Sequence, residues 1–283
     1  MSKLLPCRPL SMLMLLSMLL LPSLPAMAAD KLTVQQAGAL VTQSGLEAQL
    51  PSIAPSVAAG LTLNPGFASN LSEDKLQLVL KAFSNAYSPL RLSMDIAAEL
   101  PGQLRQADGQ EALLWFESEL GRKITALEDR ASEAASDSTV MEQALDLYQR
   151  LPPRRAERYE RLVKASAVAE SSAQLLINTS TGTAYGVAST AAASSPDFEE
   201  IRGEYARHRE EMVNTLRGQF SVLFASAYQS LAEAELDQYI AFVESPAGSA
   251  FHKAMATAID RAMVKAAKDA GKQIADAVKL RKS

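Results

Sequence analysis

The sequence predicts an all-α protein, a helical bundle without a β-sheet. Apolar residues recur at spacings of three and four over most of the chain, which places them on one face of a helix. Alanine and leucine are frequent, whereas aromatic residues make up only 6% of the chain, and this composition favours helices. No run of β-branched residues alternates with a period of two, so no strand is predicted.

The chain has 283 residues, of which 48% are hydrophobic and 21% are charged. This is the composition of an ordinary globular protein, and it excludes disordered, collagen-like and disulfide-scaffold classes. The length is sufficient for one large or two small domains with a hydrophobic core.

Residues 1–28 have the pattern of a cleaved signal peptide. Lys3 and Arg8 precede an apolar run from Leu10 to Leu21, and Ala26-Met27-Ala28 provides the small residues of a cleavage site. The run is too short to span a bilayer, so we expect export to a bacterial periplasm with cleavage after Ala28. The alternative is an uncleaved N-terminal anchor.

The expected mature chain would lack cysteine and carry more negative charge. Cys7, the only cysteine, precedes the apolar run, so no disulfide, thiol nucleophile or cysteine metal site is expected after cleavage. Loss of two basic residues changes the net charge from −4 to −6, which argues against nucleic acid as a partner. The uncharged run 171–196 is too polar to insert into a membrane, so no stable membrane span is expected.

Helices of the first half follow from the apolar spacing. One face is formed by Leu76, Val79, Leu80, Phe83, Tyr87 and Leu90, with Ser72 as the expected N-cap and Pro89 as the expected end or kink. Asp108 and Glu111 have the spacing of a capping box at the start of the next helix. A further stripe contains Leu120, Ile124, Leu127 and Ala131.

The second half repeats this pattern. We expect one long helix whose face contains Ile201, Tyr205, His208, Met212, Leu216, Phe220 and Leu223, beginning at Ser195-Pro196. A short helix follows from Leu236 to Val243, and Ser245-Pro246 begins the last helix.

Two segments of the chain align with each other at an offset of 127. Residues 106–124 align with 233–251, and the alignment pairs Trp115 with Phe242, Glu117 with Glu244, Ser118 with Ser245 and Gly121 with Gly248. We therefore predict two duplicated helical units, at 30–150 and 155–280, with a junction in the proline- and arginine-rich stretch 150–162.

The second segment also carries a family motif. Phe242-Val243-Glu244-Ser245-Pro246-Ala247-Gly248 follows a short helix and precedes another. This string resembles the signature of the domain of unknown function 2059 family of exported bacterial helical proteins, mainly over residues 201–267. The resemblance implies an all-helical periplasmic domain and no particular activity, substrate or cofactor. The first segment departs from the signature at Glu119, where a proline is expected.

The motif predicts a corner between two helices. Ser245 can accept a hydrogen bond from a free amide, Pro246 needs no donor at the first helical position, and Gly248 permits close backbone approach. Glu244 is placed beside a positive helix N-terminus. The alternative is a ligand or partner site formed by Phe242 and these four residues.

Few residues suggest catalysis. His208 could be a general base or metal ligand, but a single histidine on an apolar stripe is more typical of a core residue. Glu117 and Glu244 could form a glycosidase carboxylate pair, although both also suit helix ends. No metal-binding motif, nucleophile elbow or phosphate loop occurs, so no metal or cofactor is expected.

We therefore expect a non-catalytic binding or interaction module of the cell envelope. It would bind an envelope protein, or an apolar ligand between its helices. The alternative is a hydrolase or lyase acting on cell-wall or other periplasmic substrate, with Glu244, Glu117 or His208 in its site. Gly182 and Gly186 predict a tight helix crossing, for which a homodimer seam is the alternative.

Overall fold

The computed structural model describes residues 31–62, 72–134, 138–191 and 197–280. The predicted signal peptide lies outside these residues. Helices account for nearly all of the described chain, and the β-type pairing found there is one isolated bridge between Lys31 and Arg105. The predicted all-α class is confirmed.

The described helices run as follows. Those of the first half are α1 (Val34–Gln43), α2 (Leu46–Gln49), α3 (Ile53–Thr62), α4 (Glu73–Ala86), α5 (Pro89–Glu99), α6 (Gln106–Glu117), α7 (Glu119–Ala134) and α8 (Ser138–Gln149). Those of the second half are α9 (Pro153–Ser166), α10 (Val168–Ala191), α11 (Phe198–Ala206), α12 (Arg209–Ala227), α13 (Glu233–Glu244) and α14 (Pro246–Leu280).

Helix starts in the first half follow the sequence signals in part. Ser72 is the N-cap residue of α4, although its side chain makes no capping hydrogen bond, and Pro89 begins α5 as the first helical residue. The capping box predicted at Asp108 and Glu111 is wrong. Helix α6 begins earlier, at Gln106, and the Asp108 carboxylate pairs with the guanidinium of Arg105 at 2.8 Å.

The single long helix predicted from Ile201 to Leu223 is also wrong. Helix α11 ends at Ala206, and His208 is the N-cap residue of α12. The side chains from 202 to 211 are exposed, so no buried face holds one continuous helix together there. The predicted start at Ser195-Pro196 lies outside the described residues, and Asp197 caps α11 by accepting the amide N–H of Glu199.

One hydrophobic core joins the two halves of the chain. It extends from Leu32 and Leu40 to Ala270, and α14 packs against α4, α5 and α6 as well as α10. The prolines at 152 and 153 separate α8 from α9, as the sequence indicates. The division into duplicated units at 30–150 and 155–280 stays a prediction.

Helices α10 and α14 cross closely at Gly182. A Cβ atom there would lie 2.0 Å from the Cβ of Ala267, so only glycine fits this crossing. Gly182 thus lies in the tight packing that the sequence predicts, and this crossing is within one chain. The surroundings of Gly186 lie outside what the structure describes. Within the described ranges, no helix combines the length and apolar character that a membrane span requires.

Candidate functional site

The turn from α13 to α14 is a corner held by local hydrogen bonds. Ser245 has extended backbone angles of φ −63° and ψ 157°, which change the direction of the chain. Its Oγ accepts the amide N–H of Gly248 at 3.0 Å, and its own amide donates to the Phe242 carbonyl at 3.0 Å. Pro246 is the first residue of α14 and has no N–H to satisfy.

Only glycine fits at position 248, because the backbone of the preceding helix lies against it. A Cβ atom at this position would lie 2.0 Å from the carbonyl oxygen of Phe242 and 3.1 Å from the Cα of Val243. The backbone of α13 therefore ends directly against the first turn of α14. The capping role predicted for Ser245 and the close approach predicted at Gly248 both occur in this corner.

The turn from α6 to α7, which we call the first corner, has the same local geometry as the turn from α13 to α14, the second corner. Ser118 has φ −68° and ψ 160°, and its Oγ accepts the amide N–H of Gly121 at 2.9 Å. A Cβ atom at Gly121 would lie 2.0 Å from the carbonyl oxygen of Trp115. Glu119, which replaces the proline, begins α7 without disturbing the turn. The two corners are thus alike in backbone angles, serine cap and glycine packing.

The two corners contact each other through aromatic rings. The indole of Trp115 lies parallel to the ring of Phe242, with centroids 4.4 Å apart and an interplanar angle of 6°. Trp115 also stacks on Tyr239 at 6.0 Å, and Phe116 meets Phe251 edge to face at 5.1 Å. The sequence alignment pairs Trp115 with Phe242 as equivalent residues, and the fold places them in direct contact.

A groove of about 770 Å³ opens to solvent beside this stack. We call it the corner groove. Its apolar lining consists of Leu114, Trp115, Leu120 and Phe242, and its polar lining consists of Glu111, Ser118, Glu119, Lys123, Glu235 and Gln238. Leu114 is 68% exposed, so it forms an apolar shoulder at the surface. Lys123 bridges the two sides, with its Nζ 2.6 and 2.8 Å from the carboxylate oxygens of Glu235.

The half-buried Glu128 is connected to the groove through Tyr239. Oε1 of Glu128 accepts hydrogen bonds from the hydroxyls of Tyr228 at 2.5 Å and Tyr239 at 2.9 Å. Burial raises the pKa of the Glu128 carboxyl, and burial also raises the pKa of both tyrosines. Because Tyr239 stacks on Trp115, the groove rests on this hydrogen-bonded group.

Glu128 is not among the site residues that the sequence predicts, although one signal for it is present. Glu128 follows Ile124 by four residues and therefore shares the apolar stripe predicted for α7. An acid at that register is a candidate for burial. Its two tyrosine partners are 100 and 111 residues away, and no local pattern connects them to it.

Glu244 and Glu117, the acids of the two corners, each bind a different residue. Glu244 is exposed and forms a two-point ion pair with Arg161 of α9, and this guanidinium lowers the pKa of the Glu244 carboxyl. Glu117 is exposed and accepts a hydrogen bond of 3.5 Å from Nε2 of Gln43 in α1. Among the described residues, Glu117 and Glu244 therefore have different hydrogen-bond partners and share none.

Helix α9 holds α13 in place through ion pairs. Arg155, Arg158 and Arg161 pair with Glu233, Asp237 and Glu244, respectively. Arg155 also donates to the hydroxyl of Tyr159 at 3.1 Å and to the carbonyl of Leu231 at 2.9 Å, which fixes the turn before α13. These contacts fix the position of α13, which carries Phe242 and leads into Ser245.

The two histidines have opposite environments. His208 is exposed, with Nδ1 3.9 Å from Oε2 of Glu211, and it is not part of a buried apolar stripe. His252 is half-buried, and its Nε2 is shielded from solvent with no hydrogen-bond partner within the described chain. Burial lowers the pKa of His252 to about 4. Across the described residues, no group of three or more His, Cys, Asp or Glu side chains could hold a metal ion.

Comparison with known proteins identifies one segment. Residues 219–277 match the family described as "Uncharacterized protein conserved in bacteria (DUF2059)". This segment contains α13, the second corner and most of α14, and it confirms the resemblance inferred from the ESPxG string. The first corner lies outside the match. No curated protein and no solved structure matches the chain.

Proposed function

We propose that the protein is an exported, non-catalytic binding module of the bacterial cell envelope, and that a partner occupies the corner groove. The observation that carries this proposal is the stack of Trp115 on Phe242 in an open groove with apolar walls and charged edges. Binding sites typically combine an aromatic anchor with a few polar groups that orient the bound molecule.

The rigidity of the groove supports a role in binding. Both helix pairs that form it turn through corners in which a serine caps the next helix and a glycine leaves no space for a side chain. The arginines of α9 hold α13 from the other side. A surface that is already ordered loses little conformational entropy when it binds a partner.

The state of the corner acids favours binding over hydrolysis. A hydrolase or lyase using Glu244 would need a carboxyl with a raised pKa as its general acid. The ion pair with Arg161 lowers the pKa of Glu244 instead, and Glu117 is exposed and away from it. His208 is also exposed and has no second histidine nearby in the sequence.

The proposed location rests on residues 1–28 and on the family. The basic start, apolar run and Ala26-Met27-Ala28 pattern predict export and cleavage. The matched family is described as conserved in bacteria. In a bacterium, a leader of this type predicts export to the periplasm. Fractionation of cells, with mass spectrometry of the N-terminus, tests this part of the proposal.

Site-specific crosslinking in cells tests the groove. A photo-reactive amino acid in place of Leu114 would stand at the edge of the groove, whereas one in place of Leu145 in α8 would also be exposed but does not line the groove. We expect a discrete adduct from position 114 and none of the same mass from position 145. The purified adduct partner should then change the fluorescence of Trp115 on titration. Identical adducts from both positions, or none from position 114, would contradict the proposal.

A further inference from the structure

We propose that the occupant of the corner groove is a cationic polypeptide segment of another protein, with an apolar side chain between lysines or arginines. This inference rests on the proposed function, because it names the class of partner for the same groove. It is derived from the charges at the edge of the groove and from the apolar surface between them.

The edge of the groove carries an excess of negative charge. Glu111, Glu119 and Glu235 line it together with Lys123. Lys123 is paired with Glu235, so the positive charge is already neutralised within the protein. Glu111 and Glu119 are both exposed, and neither forms an ion pair with another described residue. These two carboxylates repel an anionic ligand and attract a basic one.

The apolar part of the groove lies between these charges. Leu114 and Leu120 line the groove together with Trp115, and the ring of Phe242 stacks on the indole. An apolar side chain placed here would cover surface that is now in contact with water. A lysine or arginine beside it could lie over the indole, which attracts cations through its π-electrons. A purely apolar ligand would leave both carboxylates without a counter-charge.

The chain itself supplies a reporter for this interaction. Trp115 is the only tryptophan in the sequence, so tryptophan fluorescence, excited where tyrosine does not absorb, reports on the groove. Two synthetic peptides of equal length provide the probes, one alternating lysine with leucine and the other alternating glutamate with leucine. We expect the lysine peptide to change Trp115 fluorescence in a saturable manner, and the glutamate peptide to have no effect. The apparent Kd should rise when NaCl is increased from 50 to 500 mM, because salt screens exposed charges.

Two variants that lose the same charge distinguish binding in the groove from general electrostatic attraction to the protein. The double variant Glu111→Gln/Glu119→Gln should weaken binding of the lysine peptide at least tenfold. The control Glu210→Gln/Glu211→Gln removes two exposed acids from the start of α12 and should bind like the parent protein. Circular dichroism checks that both variants remain folded. Equal weakening in both variants, or equal binding of both peptides, would overturn the inference.

The outcomes also distinguish this inference from the proposed function. If position 114 gives a discrete crosslinked partner but neither peptide perturbs Trp115, the cationic partner is wrong while the binding groove stands. If position 114 gives no adduct, the proposed function itself fails. A change in Trp115 fluorescence with protein concentration alone would identify a second copy as the occupant and would overturn the inference.

Discussion

The indole of Trp115 lies parallel to the ring of Phe242, 4.4 Å from it, and the carbonyls of these two residues meet Gly121 and Gly248 in the same manner. Each aromatic residue therefore has two roles. Its backbone closes a helix corner, and its side chain joins that corner to the other one. Changes at this contact should affect both stability and the shape of the corner groove.

A double-mutant cycle on Trp115→Leu and Phe242→Leu should reveal coupling between the two rings. We expect a coupling free energy of about 0.5–1.5 kcal/mol, the range found for stacked aromatic pairs. Urea unfolding followed by circular dichroism at 222 nm measures it without relying on the tryptophan. The control cycle combines Trp115→Leu with Phe83→Leu and should show no coupling, because Phe83 stacks on Tyr87 and not on Trp115. Additive effects of Trp115→Leu and Phe242→Leu would show that the stack is not energetically coupled.

The corner glycines should not tolerate a methyl group. Gly248→Ala and Gly121→Ala each place a Cβ atom 2.0 Å from a backbone oxygen, so we expect a loss of about 2–3 kcal/mol or more in unfolding free energy. Gly218→Ala in α12 is the matched control, since no neighbouring atom lies within 4 Å of its Cβ. That substitution should stabilise the protein by about 0.5–1 kcal/mol through helix propensity. Similar effects at all three sites, measured by urea unfolding, would rule out the close approach.

The raised pKa of Glu128 predicts a specific dependence of stability on pH. Because the folded state favours the protonated carboxyl, its stabilising contribution is complete below the unfolded pKa of about 4.3 and is lost as pH rises through the folded value. Relative to Glu128→Gln, the parent protein should therefore gain unfolding free energy as pH falls from 8 to 4.

Glu244→Gln is the control with the opposite sign. The pKa of Glu244 is lowered by Arg161, so the parent protein should lose unfolding free energy relative to this variant as pH falls. Urea unfolding of both variants and the parent at several pH values makes the comparison. The same slope for both variants would contradict the burial of Glu128.

His252 should remain neutral at mildly acidic pH. Its pKa is lowered to about 4 in the folded state, against about 6.5 in the unfolded chain, so the unfolded chain binds more protons between these values. The contribution of His252 to stability therefore falls as pH decreases from 6.5 to 4. NMR titration of the imidazole resonances should show His252 still mainly neutral at pH 5. His252→Gln assigns the resonance, and a midpoint near 6.5 would show that the ring is solvated.

Local chemistry made part of the site predictable. Serine as a cap, proline at a helix start and glycine under a close backbone act within a few residues, so the corner at Ser245 and Gly248 could be inferred from the sequence. The same reasoning failed at Asp108 and at His208. At Asp108, an ion pair with Arg105 replaces the expected cap. Around His208, the side chains from 202 to 211 are exposed, so a continuous helix would have no buried face there.

By itself, the sequence determined the all-α class and the chemistry of the second corner, because helical spacing and capping depend on neighbouring residues. Only the tertiary structure decided that Trp115 lies on Phe242, that Glu128 meets Tyr228 and Tyr239, and that a groove opens between the corners. These contacts join residues about a hundred positions apart. Their geometry is set by how the helices pack around one core, which the local pattern of a single helix does not specify.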